Sequence, residues 1–287
     1  MALSVNTNLM AQQAYLNLNK TSADMASSMA KLSSGLRINT AADDAAGLSI
    51  SQGLQSQVDG SQIASRNAQD GINVIQTADG ALGEVHSILQ RMRDLAVQAG
   101  NDSNNPASRT AIKSEGDALG QELNRITNST NFNGIKLLDG SASGATALSF
   151  QVGADGSANS QIKVDFGNLT TSLAAGANSF SGTTGASGFL VDTAANAATT
   201  ITNLDTAIAA VSAQRSGLGA AQNRLGHAVN VLNTSAQNLT AAKSHITDTD
   251  MASEMVNYTK DSILSQAGTA MLAQANQSGQ GILKLLG

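Results

Sequence analysis

From Ala197 to Ile246 the chain reads AATTITNLDTAIAAVSAQRSGLGAAQNRLGHAVNVLNTSAQNLTAAKSHI. Every seventh residue, Ala197, Leu204, Val211, Leu218, Leu225, Leu232, Leu239 and Ile246, is apolar. Such a column stays on one side only of a long, gently supercoiled helix. Four residues on from these, Ile201, Ile208, Arg215, Gln222, Val229, Ala236 and Lys243 form a companion column, apolar at its start, polar in the middle and mixed at its end. At about 1.5 Å per residue the helix would be roughly 75 Å long, more than the width of an ordinary globular domain. The stretch predicts a rod of paired helices, with Leu204, Val211, Leu218, Leu225 and Leu232 in its core.

The natural partner lies upstream. Ala68, Ile75, Leu82, Leu89 and Ala96 make one sevenfold column, and Ala78, Val85, Met92 and Ala99 a second. Ile75, Leu82 and Leu89 are the expected core of this side. The helix is expected to start at Thr40-Ala41-Ala42-Asp43, which has the Ser/Thr-x-x-acid form of a capping box, and to end at Ala99. Asp43 and Asp44 would offset the helix dipole and meet Arg37. Gly47, Gly53, Gly60, Gly71, Gly80 and Gly83 each cost about 1 kcal/mol against Ala in a helix interior. They predict close contacts, or a helix stable only when packed.

After a turn at Gly100 to Asn105, Asn105 as N-cap and Pro106 at the first helical position open a third helix with Ile112, Leu119 and Ile126 as its spine. The Asn133-Gly134 and Asp139-Gly140 turns around a short apolar run predict β structure. A hairpin is expected where Leu148, Phe150 and Val152 alternate, then Ile162, Val164 and Phe166, around Gly153-Ala154-Asp155-Gly156. Residues 167 to 192, rich in Gly, Ser, Thr and Ala, are expected to be loop, with Asp192 capping the long helix. Thr247-Asp248-Thr249-Asp250 breaks that helix and offers an N-cap for a last one.

The two ends share an unusual chemistry. Leu3, Leu9, Leu16 and Leu32, with the column Ala11, Leu18, Met25 and Leu32, stand among Asn, Gln, Ser and Thr. Ile263, Met271, Leu272 and Leu285 do the same at the other end, where Lys284 is the only charge beyond Asp261. A solvated helix face usually carries many Lys and Glu. A nearly uncharged polar face can pack on other helices without burying charge. Both ends are expected to be largely disordered in the free chain and to become helical on assembly, since helix nucleation is costly.

Composition excludes much. With 13% charged and 2% aromatic residues, no Trp and one Pro, the chain lacks the side chains of an ordinary globular core. A net charge of −5 leaves no basic footprint for nucleic acid. Zero Cys removes disulfides, thiolate metal sites and thiol catalysis. His86, His227 and His245 lack the spacing of a helical zinc site. Asp248-x-Asp250 lacks the rest of a calcium loop, and capping explains it better. Gly217 and Gly219 lie within a helical pattern and not after a strand, so they make no phosphate loop. No catalytic constellation and no cofactor site is expected. The first residues lack the basic and apolar regions of a secretory signal, and no window approaches the ~20 apolar residues of a membrane span.

The motifs Lys31-Leu32-Ser33-Ser34-Gly35-Leu36-Arg37-Ile38-Asn39, Asp43-Asp44-Ala45-Ala46-Gly47-Leu48, Asn67-Ala68-Gln69-Asp70-Gly71-Ile72 and Gln76-Thr77-Ala78-Asp79-Gly80-Ala81-Leu82 closely resemble those of bacterial flagellin. So do Leu218-Gly219-Ala220-Ala221-Gln222-Asn223-Arg224-Leu225 and Met271-Leu272-Ala273-Gln274-Ala275-Asn276-Gln277. The resemblance covers about residues 1 to 140 and 194 to 287. It departs from the family pattern at Lys31, at Lys243-Ser244-His245-Ile246 and at the final Gly287.

The resemblance implies a mainly α fold: an elongated antiparallel coiled-coil rod with a small β-hairpin region and paired N- and C-terminal helices. It places residues 1–42 and 247–287 in an inner assembly domain. Residues 43–246 would form the rod, with a hairpin insertion at about 131–170 and a loop at 167–192 in place of large outer domains. It further implies export through the flagellar type III channel, self-polymerisation into an extracellular filament for swimming, and an export chaperone, a filament cap and hook-junction proteins as partners. Leu3, Leu9, Leu16, Leu32, Arg37, Ile263, Met271, Leu272 and Leu285 would serve assembly. Gln90 to Gln98 resembles the segment bound by an animal innate immune receptor, Toll-like receptor 5, with Arg91 and Leu95 four apart on one face and Glu115 on the next helix. A hook-filament junction protein shares the terminal helices, but the intact Ser33 to Arg37 and Met271 to Gln277 motifs favour the filament subunit. An amphipathic lipid-binding protein would need Lys- and Arg-rich polar faces and aromatic anchors, and this chain has neither.

Overall fold

The computed structural model describes residues 8–174 and 189–286. In order the elements are α1 (Leu9–Ser34), α2 (Ala45–Ala99), α3 (Pro106–Ser129), β1 (Asn131–Phe132), β2 (Ile135–Lys136), β3 (Leu148–Gln151), β4 (Gln161–Val164), α4 (Leu169–Ala174), α5 (Ala194–Thr247) and α6 (Met251–Leu286). The chain is mainly helical and divides into two compact units, a terminal one of Met1–Gln57 with Gln237–Gly287 and a central one of Val58–Ala236.

In the central unit α2 and α5 pack antiparallel along the columns read from the sequence. On α2, Ser61, Ala64, Ala68, Gly71, Ile75, Ala78, Leu82, Val85, Leu89, Met92, Ala96 and Ala99 are buried. They alternate by three and four residues without a break, the spacing of a coiled-coil seam. On α5, Ala197, Leu204, Val211, Leu218, Leu225 and Leu232 are buried. The companion column differs from expectation. Ile201, Ile208, Arg215, Gln222 and Val229 are only half-buried, whereas Thr200, Ala207 and Ala221, three residues on from the main column, are buried. Small side chains there let α5 lie close to α2, and the larger residues at the fourth position flank the seam. Beyond Leu232 the column fades, with Leu239 and Ile246 half-buried.

Charge fixes the register. Arg93 of α2 donates to Asp205 of α5 at 2.6 Å, and Arg215 of α5 to Asp79 of α2 at 2.8 Å. A regular apolar column tolerates a slip of one heptad. Such a slip would set Arg215 beside Ile72 or His86 instead of Asp79. Exposed pairs of this kind add little stability, but here they distinguish between registers of similar apolar content.

The rest of the central unit leans on this pair. Asn105 caps α3 by accepting from the Ser108 N–H at 2.8 Å, with Pro106 in the first turn. Leu123 is its most buried large residue, while Leu119 and Ile126 of the expected spine are half-buried. Gly116 is also buried in the stripe, where it packs against the Phe189 ring and leaves no room for a Cβ. Asn133 (φ 48°) and Gly134 (φ 81°) make the two-residue turn of β1 and β2. The β3–β4 pair sets Leu148 opposite Val164 and Phe150 opposite Ile162. The small β region expected from the sequence thus consists of two two-stranded sheets. Within the expected loop, residues 169–174 form α4; residues 175–188 lie outside those described. Thr193, not Asp192, caps α5, its hydroxyl oxygen accepting from the Asn196 N–H at 3.1 Å.

In the terminal unit α1 and α6 run antiparallel. Asn8 caps α1 and also donates to the Ala275 carbonyl at 2.9 Å, while Leu18 lies against Gly268. The ends expected to order only on assembly are thus paired helices in the single chain. The start of α2 also differs from expectation. Thr40 belongs to a turn closed by Asp43, and Asp44 is the cap, its carboxylate accepting from the Gly47 N–H at 2.9 Å. Asp43 is fully used by that turn, so Arg37 turns elsewhere and donates to the Ile246 carbonyl at 2.6 Å.

Helix glycines fall into two groups with opposite expected effects. An added Cβ at Gly60 would lie 2.7 Å from the Ala154 Cβ, whereas at Gly80 nothing lies within 4 Å. Gly80→Ala should therefore stabilise the chain by up to about 1 kcal/mol, and Gly60→Ala should destabilise it. Leu82→Ala, in the seam, should cost about 2–5 kcal/mol. Urea melts followed by circular dichroism check all three.

Candidate functional site: an uncovered apolar face

The seam between α1 and α6 follows the same alternation of three and four as the central one, but with small and polar residues. On α1 it consists of Ala11, Ala14, Leu18, Thr21, Met25, Ser28 and Leu32. On α6 it consists of Glu254, Tyr258, Asp261, Ser265, Gly268, Leu272 and Ala275. Only Ser28 and Ala275 among these are buried. Most of the large apolar side chains point away from the seam. Leu9 is 68% exposed, Leu16 56%, Val256 68%, Ile263 60% and Met271 64%, and Met10, Tyr15, Met29, Met251, Met255 and Leu264 are exposed beside them. Met255, Val256, Thr259, Lys260 and Ile263 line a shallow groove on α6.

Scattered exposed apolar residues are ordinary on a protein surface, but eleven large ones on one pair of helices mark a surface made for interaction. Of the residues assigned to assembly, Leu9, Leu16, Ile263 and Met271 stand on this face, and Leu32 and Leu272 are half-buried in the seam. Leu3 and the Leu285 side chain lie outside the described residues. Met10, Tyr15, Met29, Met251, Met255, Val256 and Leu264 belong to the face as well. The sequence carried their signal: Leu16 and Leu18 are two residues apart, about 200° round a helix, so the two apolar sets of α1 could not share one face.

Arg37 closes a clamp at one end of this unit. Its backbone N–H donates to the Thr247 carbonyl at 2.6 Å, and the Thr249 N–H donates to the Gly35 carbonyl at 3.0 Å. Gly35, at φ 71°, takes the left-handed conformation that ends α1. The Arg37 guanidinium on the Ile246 carbonyl supplies a cation to the end of α5, where helix carbonyls lack partners. Asp250 caps α6, accepting from the Ala252 N–H at 2.9 Å.

The other named surface behaves differently. Arg91 donates to Glu115 at 2.7 and 3.0 Å, tying α2 to α3. Leu95 is 2% exposed and sits in the core, so it does not stand beside Arg91 as an apolar anchor. Position 95 directly precedes seam residue Ala96, which turns its side chain inward. Among the described residues no group of three His, Cys, Asp or Glu could hold a metal ion, and no helix is long and apolar enough to cross a membrane.

Two aspartates make the clamp sensitive to acid. Hydrogen bonds from the Thr40 backbone and hydroxyl, then from the Asn39 N–H, hold Asp43 below the ordinary carboxylate value. The Ser244 and then the Thr247 hydroxyls do the same for Asp248. A carboxylate with a lowered folded pKa stabilises the fold above its unfolded value, and the contribution is lost as pH falls through the folded one. Thermal midpoints should therefore drop as pH falls below the ordinary value of 3.8. Asp43→Asn with Asp248→Asn should melt lower at neutral pH and lose less on acidification. Thermal melts across that range check the pair.

Residues 5–143 match the bacterial flagellin N-terminal helical region, and residues 201–286 match the bacterial flagellin C-terminal helical region. The chain is 45% identical over 285 residues to a flagellin of Halalkalibacterium halodurans, covering 98% of this chain and 99% of that one. It is 41% identical over 290 residues to the flagellar filament 33 kDa core protein of Treponema phagedenis, again covering 98% and 99%. Bacillus cereus flagellin, in its crystal structure, is similar at 32% identity with a TM-score of 0.48, over 62% of this chain and 94% of that one.

Proposed function

Since this chain belongs to the bacterial flagellin family, we propose that it polymerises through the uncovered face of its terminal helix pair, and that the filament so formed drives swimming. Its place as a structural subunit of the extracellular flagellar filament follows from the family. The observation that carries the mechanism is the placement of Leu9, Leu16, Val256, Ile263 and Met271, each more than half exposed, outside the α1–α6 seam. Apolar surface in water is a driving force for association. Neighbouring subunits would cover these side chains, while Asn, Gln and Ser beside them complete hydrogen bonds across the contacts.

A lightly held helix pair also suits export. A seam in which Ala, Ser, Thr and Gly alternate with Leu18, Met25, Leu32 and Leu272, nearly all of it only half-buried, holds the terminal helices less firmly than the central seam holds α2 and α5, so they would unfold more readily for passage through a type III channel. An export chaperone would cover the same face before assembly, and a filament cap and hook-junction proteins would meet it at the ends of the polymer. Recognition by Toll-like receptor 5 would use the exposed Arg91–Glu115 pair, with Leu95 supporting α2 from beneath.

Ile263→Lys and Leu16→Lys each place a charge on the outward face without touching the seam. Monomer stability should change by no more than about 0.5 kcal/mol, while filament formation, followed by sedimentation and negative-stain microscopy, should be lost. Filaments of normal length and yield from both variants would overturn the assignment of this face.

A further inference from the structure

We propose that the exposed methionines of the terminal unit are a peroxide-sensitive modification site, and that their oxidation keeps a free subunit out of the polymer. The inference rests on the assembly reading above. The chain has no Cys and no Trp, so its eight methionines are its most readily oxidised side chains. They are unevenly placed. Among the described residues only Met92 lies in the central unit, and it is fully buried in the seam; Met10, Met25, Met29, Met251, Met255 and Met271 belong to the terminal unit. Met10 and Met29 are 53% exposed, Met251 47%, Met255 51% and Met271 64%.

The register of the helix pair gathers these five into two groups. With Asn8 at the level of Ala275 and Leu18 against Gly268, Met10 falls near the level of Met271, and Met29 near that of Met255. Met251 and Met255, four residues apart, share a face of α6. Each end of the uncovered face therefore carries flexible, polarisable sulfur, suited to filling an irregular contact.

Oxidation reverses that suitability. The thioether sulfur attacks one oxygen of hydrogen peroxide, an S–O bond forms, the O–O bond breaks and water leaves. Sulfur is oxidised by two electrons and the peroxide is reduced. The sulfoxide is polar and a strong hydrogen-bond acceptor, and although Thr259 and Lys260 lie beside Met255, a contact made for the apolar thioether next to Val256 and Ile263 has to desolvate it. That cost opposes association. A subunit already in the polymer has these sulfurs covered, so the modification acts on free subunits.

The test uses full-length protein and hydrogen peroxide, with sulfoxide mapped by peptide mass spectrometry. Free subunits should be oxidised at Met10, Met29, Met251, Met255 and Met271 while Met92 is spared, and filaments should resist at the same five positions. Oxidised subunits should show a critical concentration for polymerisation raised at least about tenfold. Treatment with methionine sulfoxide reductases A and B and dithiothreitol should restore it. A variant with all five changed to Leu should polymerise equally before and after peroxide; if it does not polymerise untreated, the reductase reversal decides. Equal oxidation of filaments and free subunits, or an unchanged critical concentration in stoichiometrically oxidised protein, would overturn the inference and leave the assembly reading standing. Untreated wild-type protein that never polymerises would instead remove the assembly reading itself.

Discussion

The contact on which the central unit depends is the seam between α2 and α5, where residues from Ser61 to Ala99 and from Ala197 to Leu232 interlock at alternating intervals of three and four. Along α5 the large buried residues Leu204 and Leu218 are each followed after three residues by a small buried one, Ala207 and Ala221. Close approach allows Leu, Ile, Val and Met to bury fully in a chain with few aromatic residues. The β3–β4 pair, α3 and Phe189 then attach at positions where glycine leaves room. Gly71 admits the Phe150 ring, whose nearest atom would lie 3.0 Å from an added Cβ, and Gly116 admits Phe189.

The terminal unit uses the same periodicity with the opposite assignment of side chains. Its seam mixes Ala, Ser, Thr and Gly with Leu18, Met25, Leu32 and Leu272, and most of the other large apolar residues described on α1 and α6 face outward. Hydrophobic burial dominates the free energy of folding, so most of what these helices could gain remains ungained in a single subunit. A filament subunit is served by this division: one part folds on its own contacts, and the other is completed by neighbours. The clamp of Arg37 on the α5–α6 link is polar and local, so it orders the chain path without consuming the apolar face.

Much of this was legible in the sequence. Ile75, Leu82, Leu89, Leu204, Val211, Leu218, Leu225 and Leu232 repeat every seven residues because they occupy one seam, and all are buried. Asn105-Pro106 and Asp250 read correctly as helix starts because capping is decided by the local chain. The sequence points to Ile201 and Ile208 for the companion column of α5 because they are more apolar than Thr200 and Ala207, yet the latter are buried; close approach, not hydrophobicity, selects the inner position. Asp44 replaced Thr40 as cap, and Thr193 replaced Asp192, since adjacent residues of similar capping strength are separated only by the turn that precedes them. Leu95 was read as a surface anchor because a charged neighbour four residues earlier suggests a face, yet the seam sets which way α2 is turned. The outward set on α1 and α6 was visible as a second phase, but phase alone does not say which of two stripes meets the partner helix.

Amide hydrogen exchange, measured on the free subunit and on the polymer, tests most directly the claim that the two seams differ in kind. Opening free energies follow buried contacts and need not be uniform along a chain. The account predicts slow exchange for residues 61–99 and 197–232 in both states, and fast exchange for α1 and α6 in the free subunit that slows markedly in the polymer. Exchange from α1 and α6 in the free subunit as slow as from residues 61–99 would contradict it.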